Sequence, residues 1–326
     1  MNNTERLLQD KVRELFRSNG IDLFIGFEKG TLPLISRPVF IESGDEADRL
    51  VWDAYGRNNL AVYLSRYFKE KQENFPTIGI ACRGCTARSV NGLIFENQIP
   101  ADKVKMIGMP CNGLIDRNKV LAKVMSTRIR EAWEKDSEIH ITLLDGEVFR
   151  LEREQVLADA CLDCAYPVMD NMELKIQSPG RVPAHERYKD VNAFETLPAA
   201  ERFRQFADQI ANCIRCNACR QACPNCFCKE CFADQARPGW VSPGNDISDV
   251  MLFHIGRIFH QAGRCTECGA CARACPVHID LRLFTGKLAK DAEQLFGQAA
   301  GMSASSPQVL SVYDEQDSQD FITEPQ

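Results

Sequence analysis

The chain has 326 residues, of which 44% are hydrophobic and 26% charged, and its net charge is −6. This is enough apolar material for about two domains, and the negative charge argues against a nucleic-acid binder, which usually carries a basic excess. The sequence begins with a polar, amphipathic stretch and contains no apolar run of about 18 residues. It therefore predicts neither a signal peptide nor a membrane span, and we expect a cytoplasmic protein.

Hydrophobic periodicity predicts a mixed α/β domain over residues 1–180. A strand–loop–helix–strand order fits a parallel βαβ unit, and Asp145-Gly146 is typical of a hairpin turn. Two prolines make segment 30–41 a loop or an edge strand. The predicted helices are 5–18, 45–55, 60–69 and 86–96, and the predicted strands are 21–27, 76–81, 103–109, 138–144 and 147–152.

The second half of the chain is predicted to be a separate domain. Residues 181–200 form the expected linker, and residues 201–296 form the expected second domain. Helices are predicted at 199–212, 247–261 and 280–296. Residues 297–326 contain five acids and no Lys or Arg, so an acidic, disordered tail is expected.

The most informative feature is the set of 16 cysteines, which are absent from the first 81 residues. A disulfide scaffold would be shorter and denser in cysteine. In a reducing cytoplasm, clustered thiols usually bind metal or carry redox chemistry. We therefore take the cysteines as candidate metal ligands.

Two cysteine runs share the spacing C-x2-C-x2-C-x3-C-P, which is the spacing of bacterial two-cluster ferredoxins. They are CIRCNACRQACP and CTECGACARACP. They make residues 201–296 an expected α+β, bacterial dicluster ferredoxin-like domain with a helical insertion. In such runs three thiolates hold one [4Fe–4S] cluster, and the fourth ligand comes from the other run. The predicted ligands are Cys213, Cys216, Cys219 and Cys275 for cluster 1, and Cys265, Cys268, Cys271 and Cys223 for cluster 2.

The alternative for these runs is a pair of structural zinc sites with four cysteines each. A further triad, Cys226, Cys228 and Cys231, has the spacing C-x-C-x2-C and supplies only three ligands. Two interpretations of this triad stay open. It forms a further cluster or a zinc site with a fourth ligand from elsewhere, or its thiols are unligated core residues.

Five cysteines lie in the first domain, at the ends of two predicted parallel strands and in a later C-x2-C. Loops at the carboxyl ends of such strands bind ligands in open α/β sheets. Spacing alone leaves two alternatives open, a four-thiolate site and plain core residues. The candidate site comprises Cys85, Cys111, Cys161 and Cys164, with Cys82 as a spare or alternative ligand.

The first domain resembles the beta-subunit family of coenzyme F-420 hydrogenases and dehydrogenases, which includes formate dehydrogenase beta subunits. The resemblance covers about residues 20–180 and rests on IDLFIGFEKGTLPLISRPVFI, IACRGCTARSVNGLIFENQI, KVKMIGMPCNGLID and CLDCAYPVMDNMEL. It implies a third [4Fe–4S] cluster, cluster 3, on Cys85, Cys111, Cys161 and Cys164. Residues 205–296 are similar to ferredoxin modules of anaerobic electron-transfer subunits, including those that feed heterodisulfide-reductase-type enzymes.

The resemblance implies an iron–sulfur subunit with three [4Fe–4S] clusters, a fourth being open. It would relay single electrons between a dehydrogenase, hydrogenase or flavoprotein subunit on one side and a heterodisulfide-reductase-like or similar acceptor on the other. These subunits are the expected partners, and no catalytic residue is expected on this chain.

The alternative is a catalytic subunit in which FAD exchanges hydride with F-420 or a nicotinamide. The sequence has no G-x-G-x-x-G. Arg83 and Arg88 either contact a flavin pyrophosphate, or they are solvated or paired with surface acids. His254, His260 and His278 are assigned to helix surface or core rather than to a metal.

Overall fold

The computed structural model describes residues 3–70, 75–169, 172, 174–176, 186–305 and 307–309. Among these described residues, nine strands lie between positions 23 and 175. They are β1 Leu23–Lys29, β2 Ser36–Ile41, β3 Leu50–Val51, β4 Ile78–Cys82, β5 Val104–Gly108, β6 Ile129–Lys135, β7 Glu138–Leu143, β8 Val148–Glu152 and β9 Leu174–Lys175.

The larger sheet has the strand order β2-β1-β4-β5-β9, with β3 also paired to β1. Strands β1, β4, β5 and β9 run parallel, whereas β2 and β3 are antiparallel to β1. The predicted βαβ unit and the predicted edge strand are confirmed. Pro38 lies in the edge strand β2, where its missing N–H costs no ladder hydrogen bond.

Four helices complete the first half: α1 Asn3–Arg17, α2 Ala61–Glu70, α3 Gly84–Phe95 and α4 Arg117–Val124. The main core lies between the larger sheet and helices α1, α2 and α3, and it includes Leu8, Phe24, Leu64 and Val90. All five residues of β4 are buried, as expected for a central parallel strand covered on both faces. Cys82 is the last residue of this buried strand, and Cys85 follows three positions later.

The prediction of a helix at 45–55 is wrong. A 3-10 turn, Gly44–Arg49, is followed by strand β3, because the backbone of Leu50 and Val51 pairs with Glu28 and Phe27 of β1. The predicted hairpin of β7 and β8 is confirmed. Strand β6 was not predicted; it pairs with β7, so that β6, β7 and β8 form a separate three-stranded sheet.

The second half contains six helices and, among residues 186–305, no strand. The α+β expectation for this region is therefore wrong in its β part. Local helical turns follow each cysteine loop and supply the backbone hydrogen bonds that strands would otherwise make. The helices are α5 Lys189–Glu195, α6 Ala199–Ile210, α7 Ala218–Gln221, α8 Ile247–His260, α9 Ala270–Ala274 and α10 Arg282–Phe296.

The expected linker contains a packed helix. Helix α5 buries Val191, and Glu195 at its end pairs with Lys290 and, at 3.0 Å, with Lys287 of α10. The part of the expected linker at 181–185 lies outside the described residues. The segment at 189–195 is thus held against the second domain.

The expected disordered tail also begins with an ordered segment. The carbonyls of Ala300 and Gly301 accept hydrogen bonds from the side chains of Arg88 and Asn91 on α3. Val309 is buried and lies against Gly263. Residues 306 and 310–326 lie outside the described part of the chain. Within the part that is described, none of the helices is long and apolar enough to span a membrane.

Candidate metal centres

Four cysteines of the first domain line one cavity. Strands β4 and β5 are parallel neighbours, so their carboxyl ends open at the same edge of the sheet. Cys85 lies in the first turn of α3, directly after β4, and Cys111 follows β5. The segment after β8 brings the remaining pair to the same edge. We call this set, Cys85, Cys111, Cys161 and Cys164, site 3.

Gly84 allows the two halves of site 3 to approach each other. Its N–H donates to the carbonyl of Pro167 at 3.0 Å. A Cβ at this position would lie 1.9 Å from the carbonyl oxygen of Tyr166. No other residue fits there without moving the loop that carries Cys164. The glycine of CRGC is therefore a structural requirement of the site.

Burial dominates the electrostatics of site 3. It raises the pKa of the thiols of Cys85 and Cys161, and it raises that of Cys164 to about 12. Neighbouring thiolates raise these pKa values further. Grouped buried thiols are a poor arrangement for free thiolates, whereas a bound metal cation would deprotonate a coordinating thiol outright. The donor set therefore fits a metal–thiolate centre.

Cys82 does not line the cavity of site 3. Its side chain is 1% exposed and belongs to the main hydrophobic core, where burial alone raises the pKa of its thiol far above the usual range. The structure therefore places the spare cysteine among core residues.

The ferredoxin-type runs line two further cavities. The first is lined by Cys213, Cys216, Cys219, Cys271 and Cys275, and the other is lined by Cys223, Cys265, Cys268 and Cys271. Cys271 lines both cavities, and the predicted crossed pattern assigns it to the second. We call them site 1, formed by Cys213, Cys216, Cys219 and Cys275, and site 2, formed by Cys223, Cys265, Cys268 and Cys271.

The two runs also share a local backbone. Arg215 and Glu267 occupy equivalent positions, two residues after the first cysteine, and both have positive φ values of 54° and 58°. In this conformation each residue's N–H donates to the preceding cysteine sulfur at 3.4 Å. Such amides stabilise negative charge on ligand sulfurs. The repeat of geometry supports the same kind of ligand at both loops.

Sequence reasoning missed the role of His254. This residue of α8 is only 2% exposed, and its Nε2 lies 3.2 Å from the sulfur of Cys213. Burial, with the charges of Arg257 and Arg215, lowers the pKa of His254 to about 4. The neutral ring can donate from Nε2 to the sulfur. The only sequence signal was its place on the helix that precedes the second run.

Arg83 and Arg88 are neither solvated nor free for a pyrophosphate. Arg83 donates to the carbonyls of Gly56 and Asp53, and its guanidinium lies over the rings of Phe27 and Trp52. The Nε of Arg88 donates to Ala300, its Nη1 donates to Thr266, and Nη1 also lies 3.9 Å from the carboxylate of Glu267. Both arginines line the cavity of site 3, and these protein groups already occupy most of their donors.

The triad of Cys226, Cys228 and Cys231 lines a separate cavity between α2 and α8. The sulfur of Cys226 is hydrogen-bonded to Cys223, and this bond lowers the pKa of the Cys226 thiol to about 6. His260 lines the same cavity but packs edge-on against Phe232. Nowhere among the described residues do three or more His, Cys, Asp or Glu side chains meet at a point that could hold a single metal ion.

Comparison with known proteins identifies the cysteine-rich region. Residues 209–279 match the family described as "4Fe-4S dicluster domain", and this range contains all eight cysteines of sites 1 and 2. Over 90% of its length the chain also aligns with 90% of the F420-dependent formate dehydrogenase subunit beta of Methanocaldococcus jannaschii, at 20% identity. Over most of its length the chain is therefore similar to the beta subunit of an F420-dependent formate dehydrogenase.

Two further proteins are similar to shorter stretches of this chain. The F420-dependent formate dehydrogenase 1 subunit beta of Methanococcus maripaludis is 32% identical over 38% of this chain and 31% of its own length. A chain of the F420-reducing [NiFe] hydrogenase complex from Methanosarcina barkeri aligns with 49% of this chain and 57% of its own, at 13% identity and a TM-score of 0.38.

Proposed function

We propose that this chain is an iron–sulfur electron-transfer subunit of a formate dehydrogenase- or hydrogenase-type complex, with [4Fe–4S] clusters at sites 1, 2 and 3. The dicluster match supports sites 1 and 2. The cavity lined by Cys85, Cys111, Cys161 and Cys164 supports site 3. Such clusters, when bound, accept and release one electron at a time.

The continuous arrangement of the cysteines carries the proposal. Cys268 belongs to site 2 and also lines the cavity of site 3. Cys271 belongs to site 2 and also lines the cavity of site 1. Each pair of neighbouring sites therefore shares a cysteine in its wall, which supports the order site 3, site 2, site 1.

Buried contacts hold site 3 and site 2 at a fixed separation. The hydroxyls of Ser89 on α3 and Thr266 in the second run are 3.0 Å apart, and both side chains are buried. Arg187 donates to Glu267 at 2.8 Å and stacks on the ring of Tyr166 near Cys164. These contacts tie the walls of the two sites together. A fixed separation suits repeated electron transfer.

The exposure of the cysteines differs along the order of sites. Cys216 of site 1 is exposed, whereas the cysteines of site 3 are at least partly buried. Site 1 therefore offers the outlet to an acceptor subunit, for which the sequence resemblance suggests a heterodisulfide-reductase-like protein. The donor, a dehydrogenase, hydrogenase or flavoprotein subunit, would approach on the side of site 3. By this account the chain is cytoplasmic.

Anaerobic purification with iron, sulfide, zinc and flavin assays tests the proposal. Three clusters require about 12 iron and about 12 sulfide per chain, and a spectrum of reduced [4Fe–4S] centres after dithionite. About eight iron would remove site 3 from the proposal, and zinc without sulfide would overturn it. A count of about 16 iron would assign a fourth cluster to the triad of Cys226, Cys228 and Cys231.

The same preparation decides the alternative of a catalytic flavin subunit. One flavin per chain would favour hydride exchange with F-420 or a nicotinamide over simple electron relay. The buried partners of Arg83 and Arg88 argue against the pyrophosphate contact that the sequence had suggested.

A further inference from the structure

Arg257 lies on α8 and lines three cavities, those of site 1, site 2 and the Cys226 triad. It does not line the cavity of site 3. Its side chain is only 4% exposed. A cation at this place is expected to act on the two dicluster sites and much less on site 3.

The guanidinium is incompletely satisfied by protein groups. One terminal nitrogen, Nη2, donates to the carbonyl of Cys219 at 3.0 Å. The other two nitrogens, Nε and Nη1, are buried without a nitrogen or oxygen partner, and the thiol of Cys226 lies within hydrogen-bond reach of the guanidinium. An ion pair with a carboxylate is not found for Arg257 among the described residues. A buried charge left in this state is strongly destabilising.

Arg257 shares its surroundings with cysteines of both ferredoxin-type runs. It lines the cavity of site 1 with Cys219 and the cavity of site 2 with Cys271 and Cys223. An arginine side chain stays protonated in proteins. A fixed positive charge therefore lies at the walls of both cavities, where iron–sulfur centres would place negative charge.

We infer that Arg257 is the shared counter-cation of sites 1 and 2 and raises the reduction potential of both. This inference rests on the proposed function. Reduction adds one negative charge to a cluster, and a fixed buried cation stabilises that charge more than water would allow. Charge and hydrogen bonds near the sulfurs are among the determinants of cluster potential. Arg257 thus acts on the clusters through its fixed positive charge and is not one of their ligands.

The test is an EPR-monitored redox titration of the full chain, purified anaerobically, with Arg257→Gln, Arg257→Lys and a control. The control is Arg204→Gln, which removes an arginine whose side chain is 62% exposed on α6 and pairs with Glu201 and Asp208. A Cys161→Ser variant assigns the signal of site 3. We expect R257Q to shift the potentials of sites 1 and 2 downward and to leave that of site 3 unchanged. R257K should shift them less, and R204Q should shift none.

Two results would overturn the inference: an R257Q protein with full iron content and wild-type potentials, or an equal shift at all three sites. If R257Q loses iron, R257K decides. Iron retained in R257K supports a charge role, whereas equal loss in both variants shows that packing alone matters and rejects the inference. Failure of the proposed function would show differently, as wild-type protein without iron and sulfide.

Discussion

Cys85 and Cys268 line the same cavity, although they lie 183 positions apart in the chain. Cys85 lies in the first turn of α3, and Cys268 lies in the second cysteine run. A cysteine of site 2 thus also lines the cavity of site 3. The proposed electron path crosses between the two sites at this shared wall.

Cys85→Ala and Cys82→Ala form a matched pair within the same CRGC segment. Cys85 lines the cavity of site 3, whereas Cys82 lies in the core. We expect C85A to lower the iron content from about 12 to about eight per chain, and C82A to keep about 12. C82A should cost about 1 kcal/mol of unfolding free energy, because it removes one small buried side chain. Loss of iron in C82A alone would mean that Cys82 is the ligand.

Gly269→Ala tests the packing of the second run against the first domain. Gly269 has φ of +66°, and a Cβ there would lie 2.6 Å from that of Ala160. Gly297 has φ of +65° with nothing within 4 Å, so Gly297→Ala carries only the backbone penalty, about 1 kcal/mol.

We expect G269A to lower the melting temperature more than G297A. It should also slow electron transfer between sites 3 and 2, measured after photoreduction by rapid-freeze EPR. Equal effects of the two substitutions would show that the Ala160 contact does not set the spacing of the sites.

Cys223→Ala and Cys226→Ala test the crossed ligand pattern. The two sulfurs are hydrogen-bonded to each other, but only Cys223 belongs to a ferredoxin run and lines the cavity of site 2. We expect C223A to lose the EPR signal of site 2 and about four iron, and C226A to keep both. The reverse result would assign Cys226 as the fourth ligand of site 2.

His254→Leu removes the hydrogen bond to the Cys213 sulfur at site 1. A donor to a ligand sulfur stabilises the reduced state, so the potential of site 1 should fall while those of sites 2 and 3 stay unchanged. His260→Leu is the control on the same helix, since His260 packs against Phe232 and lines only the triad cavity. The redox titration described for Arg257 measures both variants, and a shift at all sites would contradict a local role.

The sequence by itself determined the features that depend on neighbouring residues. The two C-x2-C-x2-C-x3-C-P runs specify their own loops, since turns and local amide–sulfur contacts form within a few residues. The βαβ unit and the hairpin follow from short-range hydrophobic periodicity and turn chemistry. The helix predicted at 45–55 failed because pairing with β1, more than 20 residues away, outweighed local helical spacing.

Tertiary structure decided which cysteines meet. Cys82 and Cys85 are three positions apart, and β4 is buried on both faces, so no alternation in the sequence shows that one enters the core and the other the cavity. The roles of His254 and Arg257 also arise from packing. Helix α8 lies against the first cysteine run, which precedes it in the chain, and against the second run, which follows it. Such contacts join distant segments, and only the folded chain brings them within reach.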